Sequence, residues 1–229
     1  MKSIKTLAKR MITGSGFSPP RRLEYINEML SFGQWLRANN CETHFNHRFD
    51  LYSHLNTQIL EEGPVTYLEF GVGHGISLKK WTEINVDSNS AFWGFDSFEG
   101  LPEAWVIPKG AFDRGGEIPV IGDDRVKFVK GLFQESLLPF LQEFHPQNKL
   151  VVHLDADLYS STLFVLTCLH RWLVPGTILI FDEFNIVDHE FKAFKNYTSA
   201  YMVTYKVLAS SGSGYSSIDI DTQLAIEIN

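Results

Sequence analysis

Cysteine is nearly absent from this chain: the 229 residues hold two, Cys41 and Cys168. Two isolated thiols build neither a disulfide framework nor a cysteine metal cluster, and they suit a reducing compartment. Basic residues are also in the minority, 20 Lys and Arg against 27 Asp and Glu, for a formal net charge of −7. Nucleic-acid and anionic-membrane surfaces gather Lys and Arg, so this balance argues against both partners. No run approaches the ~18 apolar residues of a membrane span. Internal repeats and low-complexity tracts are missing too. The N-terminal stretch alternates Lys2, Lys5, Lys9 and Arg10 with Ile4, Leu7, Ala8 and Met11, without the apolar block or cleavage site of a signal peptide. Its spacing predicts an amphipathic helix lying on the domain or on a partner subunit. A cytoplasmic location is the default expectation.

What is present is globular: 44% hydrophobic and 14% aromatic residues, in a length that suits one α/β domain. Residues 1–63 show helical spacing over Arg22–Arg37 and Phe49–Glu61, with a stop at Gly63-Pro64 and no convincing strand. They read as a helical cap before a main domain of residues 64–229. From Val65 short apolar runs alternate with helical stretches. Strands are expected at Val65–Phe70, Phe92–Phe95, Val126–Lys130, Leu150–Leu154 and Ile178–Phe181. Helices are expected at Ser77–Asn85, Gln134–Phe144, Thr162–Leu173 and His189–Ala200. Such runs read as parallel strands buried on both faces. Tyr205–Ala209 and Gln223–Ile228, linked through the turn-rich Ser210–Ser217, are expected to pair antiparallel. The fold class is therefore α/β: a Rossmann-like, mostly parallel sheet closed by an antiparallel C-terminal hairpin. Leu101–Asp124 breaks the rhythm and reads as a lid, with Trp105, Ile107, Phe112 and Ile118 as apolar anchors.

Two constellations carry chemistry. Tyr67-Leu-Glu-Phe-Gly-Val-Gly-His-Gly75 runs from a strand into a glycine turn, and Asp96 ends the next strand. That arrangement brings bare backbone against a nucleoside cofactor, with the acid placed to accept from both ribose hydroxyls. Glu69 adds a carboxylate that would repel a pyrophosphate and attract a cationic ligand, which favours S-adenosylmethionine (SAM). The second constellation is Asp155 and Asp157 after strand four with Asp182 and Glu183 after strand five. Four acids at neighbouring strand ends call for a cation, simplest as Mg²⁺ held by oxygen ligands. Capping of the following helices is their bland alternative. His189 is close enough to act as a base, whereas His153 reads as a core histidine. His44 and His47 lack the partners of a metal site.

Phe92-Trp-Gly-Phe-Asp-Ser-Phe-Glu-Gly-Leu-Pro102, His153-Leu-Asp-Ala-Asp-Leu-Tyr-Ser-Ser-Thr162 and Pro175-Gly-Thr-Ile-Leu-Ile-Phe-Asp-Glu183 together resemble the class I SAM-dependent methyltransferases, specifically the macrocin and mycinamicin type of sugar O-methyltransferases. The resemblance implies that Glu69, Gly71 and Gly73 bind the methionine end of SAM. It places Asp96 on the ribose, Ser97 and Phe98 beside the adenosine, and Phe133 and Gln134 in the loop along the adenine. It assigns Asp155, Asp182 and Glu183 to Mg²⁺. Two departures stand out. Relatives carry Asp-Asp or Asp-Asn where this chain has Asp182-Glu183, and catechol-type relatives carry a lysine base where this chain has Leu158. Asp157 or His189 must then take the proton. The expected reaction is in-line methyl transfer to a hydroxyl of a small molecule, a sugar or glycosylated natural product. A SAM- or partner-binding relative without activity, and an NAD-dependent dehydrogenase, are the competing readings. The N-terminal helices could also pack across a homodimer axis.

Overall fold

A computed structural model describes residues 20–104, 108–212 and 222–229. The N-terminal amphipathic stretch, Trp105, Ile107 and most of the turn before the last strand lie outside those residues. The described chain runs α1 (Pro20–Ala38), β1 (His44–Phe45), α2 (Arg48–His54), β2 (Val65–Phe70), α3 (Ile76–Ile84), β3 (Ala91–Asp96), β4 (Val126–Lys130), α4 (Phe133–Gln142), β5 (Lys149–Leu154), α5 (Tyr159–Leu169), β6 (Ile178–Phe181), α6 (Glu190–Tyr201), β7 (Tyr205–Ser211) and β8 (Gln223–Ile228).

The strands form one sheet in the order β1-β7-β8-β6-β5-β2-β3-β4. Strands β4, β3, β2, β5 and β6 run parallel, and β8 lies antiparallel between β6 and β7. Burial on both faces explains the uninterrupted apolar sequence of β6, and β2 is buried throughout although Thr66 and Glu69 interrupt its apolar run. Alternation divides each strand between two cores. Leu68, Phe70, Phe95, Val152, Leu154, Leu179 and Phe181 pack with α4, α5, α6 and Phe32 of α1. Tyr67, Phe92, Val151, Ile178 and Ile180 pack on the other face with Leu51 and Tyr52 of α2 and Leu78 and Trp81 of α3. The chain leaves β2 in one direction through β3 and β4, then crosses back to β5 and β6. That reversal opens a crevice outside the carboxyl ends of β2 and β5.

The first 63 residues depart from the purely helical expectation. β1 pairs parallel with β7, because the outer edge of β7 is otherwise open; Ser210 N–H donates to the Thr43 carbonyl at 3.0 Å and Gly212 N–H to that of Phe45 at 3.0 Å. A two-residue strand carries no periodicity to read. The second cap helix also differs: after His54 it widens into a π-helical turn over Leu55–Ile59. That turn places buried Asn56 where its side chain donates to the Ile84 carbonyl at 2.9 Å and accepts from Asn85 Nδ2 at 2.8 Å.

Candidate active site

The glycine turn after β2 is built from three glycines with different jobs. At Gly71 (φ +93°) an added Cβ would lie 1.7 Å from the Asp155 carbonyl oxygen, so bare backbone is the only fit between β2 and the β5–α5 turn. At Gly73 (φ +50°) nothing lies within 4 Å, leaving the turn open to the crevice. Gly75 caps α3 and abuts Pro119 and Ile121 of the 101–124 loop.

Asp96 faces this turn. Its Oδ2 accepts the Val72 and Gly73 amides at 2.8 Å each, and its Oδ1 accepts the Phe98 amide at 2.7 Å. A carboxylate offers about four acceptor positions, so three amides leave one, rather than the pair expected for two ribose hydroxyls. The same contacts bear on the cofactor class. The turn amides that would cradle a pyrophosphate are already given to a carboxylate, which leaves little for a dinucleotide. Phe98 (φ +57°) is buried against Phe128 beneath the turn, not open beside a ligand. Ser97 Oγ accepts the Glu99 amide at 3.1 Å. Phe133 packs edge-on against Phe70, with ring centroids 5.4 Å apart, and Gln134 is exposed at the start of α4.

Strand register assembles the acids. Glu69 lies beside His153, and His153 beside Ile180; two residues on from Ile180, Asp182 falls on the same face. Tyr67 Oη donates to Glu69 at 2.8 Å and lies 2.8 Å from His153 Nδ1. His153 Nε2 sits 3.6 Å from Asp182 Oδ1, and the Arg48 guanidinium 3.4 Å from the same oxygen. Gln223 Nε2 donates to Asp182 and also to Tyr52 Oη, the latter at 2.9 Å. His153 is therefore buried but no inert core residue. Burial pulls its pKa down, yet Asp182 and Glu69 together overcome that and raise it to about 9. Burial likewise opposes ionisation of Asp182, and His153, Arg48 and Gln223 overrule it, holding the carboxyl below its usual range.

Asp155 is raised well above the carboxylate range by burial and by Asp182. His153, Asp155 and Asp182 each bring one donor atom within 4.8 Å of the others. Glu183, expected with Asp155 and Asp182, is not among those three donors but lies beside them, close to Asp157. Burial and the Asp157 charge push Glu183 up to about 10. Asp157 (φ +57°) is pushed up to about 6 by burial, with Asp182 and Asp96 acting the same way against the Glu183 hydrogen bond. The two carboxyls thus resist ionising together. Asp157 caps no helix; the start of α5 is capped by His189, whose Nδ1 accepts the Tyr159 amide at 3.1 Å. Burial lowers the pKa of His189.

Four participants carry no role in the sequence reading: Tyr67, Arg48, Gln223 and Glu190. Fully buried Glu190 accepts the Glu183 amide at 2.9 Å and is raised by burial and by Glu183. Tyr67 alone had a readable signal, its position two residues before Glu69 on one strand face. The 101–124 loop brackets the crevice. Arg114 contacts His74 of the glycine turn, and Glu103 accepts from Ser160 of α5. Its anchors are Pro119 and Ile121; Phe112 and Ile118, expected in that role, are exposed.

Comparison with known proteins finds sequence relatives and solved structures of the same fold. Residues 112–210 match the macrocin-O-methyltransferase (TylF) family, a span that takes in Asp155, Asp157, Asp182, Glu183 and His189. A relative from Streptomyces olivaceus, 8-demethyl-8-(2,3-dimethoxy-alpha-L-rhamnosyl)-tetracenomycin-C 4'-O-methyltransferase, is 28% identical over 195 residues, covering 73% of this chain and 71% of its own. Among solved structures, the calicheamicin methyltransferase CalS11 aligns with a TM-score of 0.59 at 20% identity, over 97% of this chain and 90% of its own. An O-methyltransferase from Bacillus cereus in complex with S-adenosylhomocysteine aligns at 0.52 with 17% identity, over 99% of this chain and all of the other.

Proposed function

We propose that this chain, a SAM-dependent O-methyltransferase of the macrocin type, methylates a hydroxyl of a sugar or glycosylated natural product, with Asp157 as the general base. The observation that carries this reading is the acid cluster at the ends of β5 and β6, where His153, Asp155 and Asp182 bring donor atoms within 4.8 Å of one another and Asp157, raised to about 6, lies beside them. A base poised near the working pH is the efficient one. The rhamnosyl acceptor in the name of the Streptomyces olivaceus relative supports a sugar hydroxyl as the target.

His189 suits the role less well. A backbone N–H can only donate, so Nδ1 spends its lone pair on the Tyr159 amide and the neutral ring carries its hydrogen on Nε2. Asp157 keeps a free acceptor direction at the strand end. In this reading Glu69 and the open turn at Gly73 meet the methionine end of SAM, whose ammonium answers the carboxylate. Asp96 grips one ribose hydroxyl with its remaining acceptor position, beside Ser97, while Gln134 borders the adenine. Phe98 and Phe133 support those walls from below. The 101–124 loop excludes water and shapes the acceptor side.

The donors fit a hard divalent cation, because six carboxylates (Glu69, Asp155, Asp157, Asp182, Glu183 and Glu190) share this region with His153 and Arg48 as the cations among the described residues, and several resist ionisation. Asp155 and Asp182 would hold Mg²⁺ with Glu183 from the same cluster, and the bound ion would acidify the acceptor hydroxyl. The proton then passes to Asp157 as the oxygen takes the methyl from sulfur.

The test is turnover on rhamnosylated acceptors with free vicinal hydroxyls, beside calorimetric titration with S-adenosylhomocysteine and NAD⁺. Transfer to a sugar hydroxyl, with binding of the first ligand only, is expected. S-adenosylhomocysteine binding without transfer to any glycoside would overturn the acceptor assignment.

A further inference from the structure

Two adjacent side chains at the start of α6 reach back to the two turns that carry the acids. His189 Nδ1 accepts the Tyr159 amide at 3.1 Å, closing the turn after β5 that bears Asp155 and Asp157. Glu190 Oε2 accepts the Glu183 amide at 2.9 Å, in the turn after β6. Neither contact serves α6 itself, whose start has no side-chain cap; Glu190 bonds seven residues back along the chain instead. Burying a carboxyl is costly, and Glu190 has no exposure at all, so it must supply something that an apolar residue would not. The turn after β5 also needs holding. Asp157 is left-handed at φ +57°, and the Leu158 amide folds back onto the Ala156 carbonyl at 2.5 Å. A residue other than glycine keeps such a conformation only where its surroundings enforce it.

Helix α6 is a firm base for both contacts. Phe191 and Phe194 pack edge-on against Phe184, the residue after Glu183, with ring centroids 5.6 and 5.5 Å away. Asn196 Nδ2 donates to Tyr159 Oη at 3.0 Å. We propose that His189 and Glu190 form a positioning clamp that fixes the β5–α5 turn against the β6–α6 turn, and so sets the spacing of Asp155 and Asp157 from Asp182 and Glu183. Both residues act through the backbone of those turns rather than on the acceptor. A cation held by acids of both turns would read that spacing directly. This consequence rests on the cation site proposed above; the rigidity of the two turns does not.

The experiment compares wild type, Glu190→Leu and Glu190→Gln, because Gln can still accept the Glu183 amide and Leu cannot. Mn²⁺ titration followed by electron paramagnetic resonance, without acceptor, reads the cation site. Hydrogen-exchange mass spectrometry over residues 157–162 and 182–190 reads the turns, and S-adenosylhomocysteine calorimetry with thermal melting reports on the rest of the fold. Glu190→Leu should weaken Mn²⁺ binding by about 10–100-fold, the usual loss when a group that orients a metal ligand is removed, and speed exchange over 182–190. S-adenosylhomocysteine affinity should stay within about threefold of wild type, and Glu190→Gln should restore both Mn²⁺ affinity and slow exchange. Equal losses in Gln and Leu would assign Glu190 a charge role and overturn the clamp; so would no change in either. If Glu190→Leu does not fold, His189→Leu against His189→Asn, which keeps an acceptor at the Nδ1 position, decides the same question over residues 157–162. A wild type that binds no Mn²⁺ removes the cation from the reaction proposed above; exchange that quickens in Leu and not in Gln still supports the clamp, and exchange equal in the two overturns it.

Discussion

Replacing Gly71 and Gly73 one at a time by alanine separates the two reasons a glycine turn exists. At Gly71 the new Cβ starts 1.7 Å from a carbonyl oxygen, and ordinary contact begins near 3.4 Å, so backbone must move by the difference. The groups that would move hold two hydrogen bonds at 2.9 Å: Gly71 N–H to the Phe95 carbonyl and Asp155 N–H to that of Phe70. Each contributes about 1 kcal/mol, and more if left buried and unpaired. The left-handed conformation adds about 1–3 kcal/mol. The total, about 3–5 kcal/mol, is a large part of the 5–15 kcal/mol a domain has and lowers Tm by about 6–20 °C. At Gly73 only the conformational cost remains, about 1–2 kcal/mol, because the space is open. Urea denaturation of both variants, followed by S-adenosylhomocysteine titration, gives the reading. Gly71→Ala should lose about 3–5 kcal/mol of stability, whereas Gly73→Ala should stay folded and lose cofactor affinity. Equal, small losses in both would show that the Asp155 carbonyl yields cheaply, and the steric reasoning would be wrong.

Asp157→Asn should lower kcat by about 10²–10⁴-fold, the usual contribution of a general base, with S-adenosylhomocysteine affinity kept; a smaller loss moves the base elsewhere. Because Asp157 is raised to about 6 from an ordinary 3.8 and must be ionised to accept a proton, the wild-type rate should fall as pH drops through about 6. A rate that is flat down to the ordinary value refutes that assignment. Chelation of divalent metal should reduce turnover while S-adenosylhomocysteine still binds, and undiminished turnover would remove Mg²⁺ from the reaction. His153 is raised from an ordinary 6.5 to about 9 on folding, so its contribution is whole below about 6.5 and disappears as pH rises through about 9. His153→Gln should flatten the fall in Tm over that range, and an unchanged slope assigns it to other groups.

The parallel strands were legible to within a residue because apolar runs bounded by turn residues have no other stable home. The carboxylates at their ends were legible for the same reason: a charge that interrupts a buried run must face something. What the sequence could not disclose was relative placement. His153 is charged because register sets it between Glu69 and Asp182, and register is fixed by pairings far apart in the chain. Arg48 and Tyr52 reach Asp182 and its partner Gln223 from α2, more than a hundred residues earlier. Asp96 spends three acceptor positions on backbone amides, which no spacing rule counts. Glu183 is raised to about 10 by burial and by the Asp157 charge beside it, an outcome that depends on distance and burial rather than on residue type.

The placement of β8 has a consequence for how the molecule comes apart. Chain termini ordinarily fray first. Here Gln223–Ile228 is laddered on both sides, to β6 and to β7, and is almost wholly buried. Its amides should exchange with deuterium among the slowest in the protein, and opening them should require detaching β7 and β1 as well. Since Gln223 also holds Asp182, the slowest-exchanging strand and the ionised heart of the crevice would be lost in a single event, so that the enzyme is either whole or inactive.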